Sequence, residues 1–269
     1  MSSVASASRA LPRRPLWWTV SDAAAVTKRN LYRYIRVPTL LLFSTIQPVM
    51  FVLLFTYVFG GAIQVPGVDS YIDYLMAGIL AQTVIFGSTQ TGVGLAEDLS
   101  RGMVDRFRSL PMARSAVLAG RTISDTVRNL FVVSLMLVVG TLVGFRFHAG
   151  LVPALGAVGI ALAFGLAFSW ISALIGLSVG DVESAQAAGF VWVVPLVFAS
   201  SAFVPVESMP GWLQVFVRAN PVTITVNALR ALSLGGPTAR PVLQSLAWIV
   251  GILLVFVPLA VNRYRRAAG

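Results

Sequence analysis

Cysteine is absent from the 269 residues, and histidine and lysine each occur once. Without cysteine the chain has no disulfide framework, no thiolate metal site and no cysteine nucleophile. The lone His148 excludes paired-histidine metal motifs such as H-E-x-x-H and reads as an interfacial side chain at the end of an apolar run. Lys28 follows Thr27 rather than glycine, so a G-x-x-x-x-G-K-[ST] phosphate loop cannot form within this chain. Charge is scarce as well: 11% of residues are charged, whereas a soluble domain carries about 25%. An ordinary soluble globule is excluded.

What the chain has instead is apolar length. Hydrophobic residues make up 57% of it and fall in runs long enough to cross the ~30 Å hydrocarbon layer as helices. Six spans are expected, at Thr39–Gly60, Tyr71–Ala96, Asn129–Gly150, Val152–Val179, Ala185–Pro205 and Val242–Asn262. Backbone groups in lipid must satisfy one another, and no strand-like alternation suggests a barrel, so the spans are helical. Pro48, Pro195 and Pro258 lie inside spans and predict kinks. Residues 1–16 are small, polar and basic and read as a disordered tail with no cleavable signal. From Trp17 to Arg36 the pattern is amphipathic, as in a helix lying in the membrane interface.

The net charge of +10 is explained by topology. Of twenty Lys and Arg residues, seven precede the first span, six follow the second and three follow the sixth. Only four, Arg146, Arg218, Arg230 and Arg240, lie on the opposite side. The positive-inside rule places both termini in the cytoplasm and assigns the excess charge to anionic lipid rather than nucleic acid.

The densest charge cluster is "EDLSRGMVDRFRSLPMAR", Glu97 to Arg114. Leu95, Leu99, Met103 and Phe107 recur every four residues and make an apolar ridge on a helix expected over Glu97–Leu110. Glu97 with Arg101 and Arg101 with Asp105 are spaced for i,i+4 pairs, and Pro111 ends the helix. Two readings fit these residues: a solvated loop helix carrying topogenic arginines, or an amphipathic element offered to a groove on a cytoplasmic partner. In the second, Phe107 is the anchor and Arg101, Asp105 and Arg106 form the charged rim. Leu110-Pro111-Met112-Ala113-Arg114 and then Ala119-Gly120-Arg121 are expected to form a second basic, turn-forming cluster before span three.

After span five, "FVPVESMPGWLQVFVRANPVTITVNALRALSLGGP" (203–237) contains two helices too short to span. Ser208 is expected to cap the first, Asn220-Pro221 to break it, and Gly235-Gly236-Pro237 to end the second. A re-entrant or interfacial helical hairpin is the natural reading. Glu207 is its only acid, open to pairing with Arg218, to solvation or to a cationic substrate. Among mid-span polar groups, Gln47 beside Pro48 and Gln82 serve either helix–helix hydrogen bonds or a substrate path. The glycine spacings Gly140-x-x-x-Gly144 and Gly176-x-x-x-Gly180 permit close helix approach, by default within the chain.

The layout, together with "GMVDRFRSLPMARSAVLAGR" (102–121) and "FVPVESMPGWLQVFVRANPVT" (203–223), resembles the permease subunits of ABC-2-type exporters, particularly the daunorubicin-resistance type of actinobacteria. The resemblance covers roughly residues 20–265 and makes 17–269 one transmembrane permease domain. It implies a second permease copy, homo- or heterodimeric along spans one and five, and a separate P-loop ATPase that carries the ATP and Mg. This chain then has no catalytic residue, metal or cofactor of its own. The resemblance assigns ATPase docking to a coupling helix with Leu99, Arg101, Met103, Asp105, Arg106, Phe107 and Arg108, and to a second cytoplasmic contact with Asp181 and Glu183. It makes the outer helix pair, with Glu207, Pro210, Trp212, Phe216, Asn220 and Pro221, a cap on the translocation path.

The expected protein is therefore an all-α, multi-pass permease in a bacterial plasma membrane, exporting a drug, glycolipid or lipid-linked polymer. Nineteen arginines against one lysine fit a GC-rich coding sequence. The alternative is an ion-coupled secondary transporter, which needs ionisable groups deep in the bilayer. The sequence places its acids at span ends instead. An intramembrane enzyme lacks a nucleophile–base pair or metal site at depth.

Overall fold

The computed structural model describes residues 16–36, 38–63, 65, 70–102 and 114–267, and among these the regular structure is entirely helical. The longer elements are α1 (Leu16–Arg36), α2 (Pro38–Leu53), α3 (Tyr71–Ser100), α4 (Arg114–Val143), α5 (Leu151–Val179), α6 (Val182–Phe198), α7 (Gly211–Ala219), α8 (Pro221–Leu234) and α9 (Ala239–Ala267). Four described helices, α3, α4, α5 and α9, are long and apolar enough to cross a membrane, and two shorter apolar stretches cover Ser44–Phe59 and Val182–Phe198. The chain is a multi-pass helical membrane protein. Residues 1–15, the bulk of the expected tail, lie outside the described residues.

Three boundaries differ from expectation, each for a local reason. The helix of the third expected span begins at Arg114 rather than Asn129, because Arg121, Asp125 and Arg128 find partners inside the bundle and the helix need not wait for an apolar run. It ends at Val143, where Gly144 takes φ +125°. Ala119-Gly120-Arg121, expected as a turn, is helical. The helix of the fifth expected span stops at Phe198 instead of Pro205: the Ser200 hydroxyl bonds back to the Val197 carbonyl, and the 201–203 carbonyls accept from Tyr74, Arg230 and Tyr71. Directly after α2, six π-helical residues, Leu54–Phe59, follow the turn beyond Pro48. Of the helix expected over Glu97–Leu110, residues 97–102 are described and 103–110 lie outside the described residues. Its first residues belong to α3, and Gly102 leaves the helix at φ +64°.

Helix α3 is the axis of the bundle. At Gly92 and Gly176 the α3 and α5 backbones approach so closely that a Cβ on either would overlap the other chain segment. Gly176 therefore serves packing within the chain, while its expected partner Gly180 caps α5 at φ +79°. Gly140 packs on Met76 of α3. One apolar core joins Leu75, Ile79 and Leu80 of α3 to Met136 of α4, Phe164 and Phe168 of α5, and Leu229 of α8. A smaller one, at the opposite end, joins Leu95, Leu118, Trp170, Leu177 and Tyr264. Helix α1 lies against the early part of α4, where the Thr27 hydroxyl donates to the Gly120 carbonyl at 3.1 Å.

One end of the bundle is tied by polar contacts. Asp73 Oδ1 accepts from the Arg146 amide (3.1 Å), and the Ser233 carbonyl accepts from the His148 amide (2.8 Å). His148 is exposed there, as expected of an interfacial side chain. Arg230, counted among loop charges by its position, is an anchor. Its guanidinium lies 3.4 Å from the Tyr74 ring centroid and donates to the Ser201 carbonyl and hydroxyl.

Candidate functional site

Helix α3 carries Gly87 and Gly94 on the side that faces α4, and α4 answers with Asn129 and Arg128 opposite the first and Arg121 opposite the second. Any side chain on either glycine would occupy the space these groups fill. The result is a buried ionic lattice. Asp125, fully enclosed, accepts from the Thr91 hydroxyl at 2.5 Å and lies 3.7 Å from Arg128 Nη1 and 3.9 Å from Arg121 Nε. Arg121 reaches Asp98 at 3.3 Å, and Arg128 donates to the Gly87 carbonyl. Carbonyls and carboxylates thus satisfy both guanidiniums in an environment where an unpaired charge would be expensive. The sequence reading placed these residues in a loop. The signal was there in "RTISDTVRN": Arg121, Asp125 and Arg128 are spaced for one helix face.

Beside this lattice is a cavity of about 300 Å³ between α2, α3, α4 and α6. Its wall follows α3 from Gln82 to Glu97, a length of about 22 Å at 1.5 Å per residue. Gln47 and Gln82, the two expected path residues, both line it, together with Gln90 and Gln186. Phe86 and Phe190, edge to face at 6.1 Å, supply an apolar wall. Gln82 Oε1 and Thr83 Oγ1 are buried with no hydrogen-bond partner.

The expected docking residues divide. Leu99 is half-buried and packs toward the smaller core, so it belongs to the internal face of α3. Arg101 is exposed and pairs with Glu97 at 2.8 Å. Met103, Asp105, Arg106, Phe107 and Arg108 lie outside the described residues. Asp181 and Glu183 are exposed at the α5–α6 turn, where Asp181 caps α6 by accepting from the Ser184 amide at 2.7 Å. That bond holds the Asp181 carboxyl below its ordinary range.

The 203–237 segment is asymmetric. Helix α8 is inserted, with Val222, Val226 and Leu229 in the core, whereas α7 exposes Trp212 and Phe216. Glu207 and Pro210 are exposed, and Pro210, not Ser208, precedes α7. Arg218 donates to Gln214 at 3.2 Å. Asn220 is a buried joint: its side chain accepts from the Val222 amide to cap α8, with Pro221 at the first helical position, and donates to the Leu196 and Ala199 carbonyls.

A cavity lined by polar and aromatic side chains beside buried ion pairs, in a helical bundle with an apolar exterior, fits a membrane transport protein. Residues 22–234 match the family described as ABC-2 type transporter, and the chain belongs to that family. It is 33% identical over 249 residues, 91% of this chain and 88% of the relative, to the daunorubicin resistance ABC transporter permease protein DrrB1 of Streptomyces coeruleorubidus. It is 30% identical over 250 residues (93% and 90%) to the probable doxorubicin resistance ABC transporter permease protein DrrC of Mycobacterium tuberculosis. A putative transport permease, ycf38, of Cyanophora paradoxa is 24% identical over 220 residues, 79% of this chain and 74% of the relative.

Proposed function

We propose that this chain is the membrane subunit of an ATP-driven exporter in a bacterial plasma membrane, moving a hydrophobic or amphipathic compound outward. In this reading α2 with its π-helical extension and α6 join the four long helices as six spans, and both termini are cytoplasmic. ATP and Mg are bound and hydrolysed by a separate P-loop subunit, seated on residues 97–110 and the Gly180–Ser184 turn. A second permease copy completes the path, and the α7–α8 pair caps it outside as a re-entrant hairpin. The observation that carries the reading is the cavity running along α3 from mid-span to Glu97, where the basic 101–114 connection begins. The names of the daunorubicin and doxorubicin resistance permeases support a drug-like cargo.

A buried carboxylate such as Asp125 is what an ion-coupled transporter needs. Here it is held by Thr91 between two guanidiniums, which favours a structural role in the bundle.

The test is purification of the tagged chain in mild detergent, with Phe107→Asp alongside. The expected result is a co-purifying ATPase that is lost in the variant. A chain that purifies alone and moves substrate down an ion gradient in vesicles overturns the proposal in favour of secondary transport.

A further inference from the structure

We propose that Asp98 and Arg121 are positioning residues: their ion pair clamps together the two ends of the 101–113 connection, so that a displacement of that connection reaches α3 and α4 as one body. The inference deepens the exporter reading by naming how a push enters the bundle, and it rests on that reading only for the source of the push.

The seam between α3 and α4 has a regular register. On α3, Gly87, Thr91, Gly94 and Asp98 face α4 and are separated by four, three and four positions, which puts them on one side of the helix. On α4, Arg121, Asp125 and Arg128 repeat that spacing. The helices run antiparallel, so Arg128 meets the Gly87 carbonyl, Asp125 meets Thr91, and Arg121 meets the Gly94 carbonyl at 3.4 Å and Asp98 at 3.3 Å. The seam is therefore polar over about three helical turns. Apolar burial has no direction and tolerates sliding. A planar guanidinium held between fixed acceptors does not.

The levels of the seam differ in what they join. The pair of Asp125 with Arg128 lies within α4 and is sealed from water, so it stiffens that helix. The pair of Asp98 with Arg121 links two helices, and it does so where both meet the connection, since α3 ends at Ser100 and α4 begins at Arg114. Its side chains are 16% and 10% exposed. Water at this level weakens the contribution of the pair to stability, so Asp98→Asn leaves the fold in place. The Glu97–Arg101 pair extends the network to the first residue of the connection, and the Thr27–Gly120 bond ties α1 to the same level of α4. Helices α2 and α6 stand across the cavity. A displacement of α3 together with α4 therefore changes the width of the cavity, whereas a displacement of α3 alone is absorbed at the seam.

The chain has no cysteine, so introduced pairs report distances by spin labelling and double electron–electron resonance. The sample is the full chain in lipid nanodiscs with its co-purified ATPase, before and after trapping with ATP and vanadate. Ser100→Cys with Val127→Cys reads α3 against α4, and Val127→Cys with Ala187→Cys reads α4 against α6 across the cavity; all three positions are exposed. The expected result is a narrow 100–127 distribution that nucleotide leaves in place, and a 127–187 distribution that nucleotide shifts by several Å. Asp98→Asn should reverse both: the 100–127 distribution broadens and follows nucleotide, and the 127–187 shift falls to less than half. Asp98→Glu, which keeps the charge, should restore the original pattern. A 127–187 shift that persists in full in Asp98→Asn overturns the proposal, as does a 100–127 distance that nucleotide changes while Asp98 is intact. Loss of the ATPase from Asp98→Asn overturns it too, because Asp98 would then belong to the dock. The 100–127 measurement is also made on the chain alone. Broadening there with no ATPase co-purifying sinks the exporter reading and leaves the clamp, and a retained ATPase without broadening sinks the clamp alone.

Discussion

Replacing Asp125 by alanine should be among the most damaging single changes in the bundle. The carboxylate is fully enclosed, accepts from Thr91 at 2.5 Å and faces Arg121 and Arg128 at 3.9 and 3.7 Å. Its removal leaves Arg121 with Asp98 and takes from the buried Arg128 the carboxylate 3.7 Å from its Nη1. Breaking a buried ion pair from one side is a loss of about 3–5 kcal/mol. Asp125→Asn keeps an acceptor for Thr91 and removes the charge, so about 2–3 kcal/mol is expected. Arg101→Ala is the control: its pair with Glu97 is at 2.8 Å, but its side chain is 69% exposed, and such pairs contribute about 0–1 kcal/mol. The assay is equilibrium unfolding in mixed micelles titrated with dodecyl sulfate. A double variant, Asp125→Leu with Arg128→Met, should recover most of the loss, because an apolar pair needs no compensation. An Asp125→Ala cost no greater than that of Arg101→Ala would refute the reasoning.

Three further outcomes are expected. Arg230→Lys should lose the stack on Tyr74 and the fork of bonds to the Ser201 region, roughly 2 kcal/mol, read as faster amide exchange in residues 199–205. Gly176→Val should push α5 off the Gly92 backbone at a cost of about 1–3 kcal/mol or more, whereas Gly251→Ala, with open space around it, should be neutral by the same unfolding assay. The Asp181 cap should be pH-dependent. Its pKa is lowered on folding, chiefly by the Ser184 amide, so its support for the start of α6 is complete above the unfolded value of about 4 and disappears as pH falls through the lower folded value. Protection of the Ser184 amide, followed by hydrogen exchange from pH 6 to pH 2, should show that decline. Asp181→Asn, which keeps an acceptor without a titrating charge, should flatten it.

Local signals were legible in proportion to how locally they act. The end of α8 is marked by Gly235-Gly236-Pro237 and its start by Asn220-Pro221, and the helix runs between them as expected. Gln47 and Gln82 were identified only as polar groups in apolar runs, yet they meet in one cavity. The first half of α4 was illegible for the opposite reason. A hydropathy reading assigns charged residues to water, and "GRTISDTVRN" is charged. What keeps it inside is Gly87 and Gly94 on another helix, whose missing side chains make room for Arg128, Asn129 and Arg121. That complement is tertiary, and no window along one segment contains it. Arg230 was misjudged in the same way, since the carbonyls that hold it come from a turn that hydropathy assigned to a span.

The order of burial among the long helices carries the functional argument one step further. In α3, 83% of the most apolar stretch is enclosed by the rest of the chain, against 17% in α9. Yet α3 holds Gln82, Thr83, Ser88, Gln90 and Thr91, while the core of α9 from Ala247 to Ala260 is nearly all apolar. In water such an inverted distribution would be unstable, because the most apolar helix is the one left outside. In lipid it is the favourable arrangement, since exposed apolar side chains lose nothing and polar ones must be sheltered. The same constraint explains why the polar groups gather instead of scattering: each one taken into the bilayer needs a partner already there. Asp125 has Thr91 and two arginines, and Ser88 lies 3.5 Å from Ser172. Helix α3 is therefore placed by its polar residues and not by its hydropathy: the centre of the bundle is where neighbouring helices can supply the partners that lipid cannot.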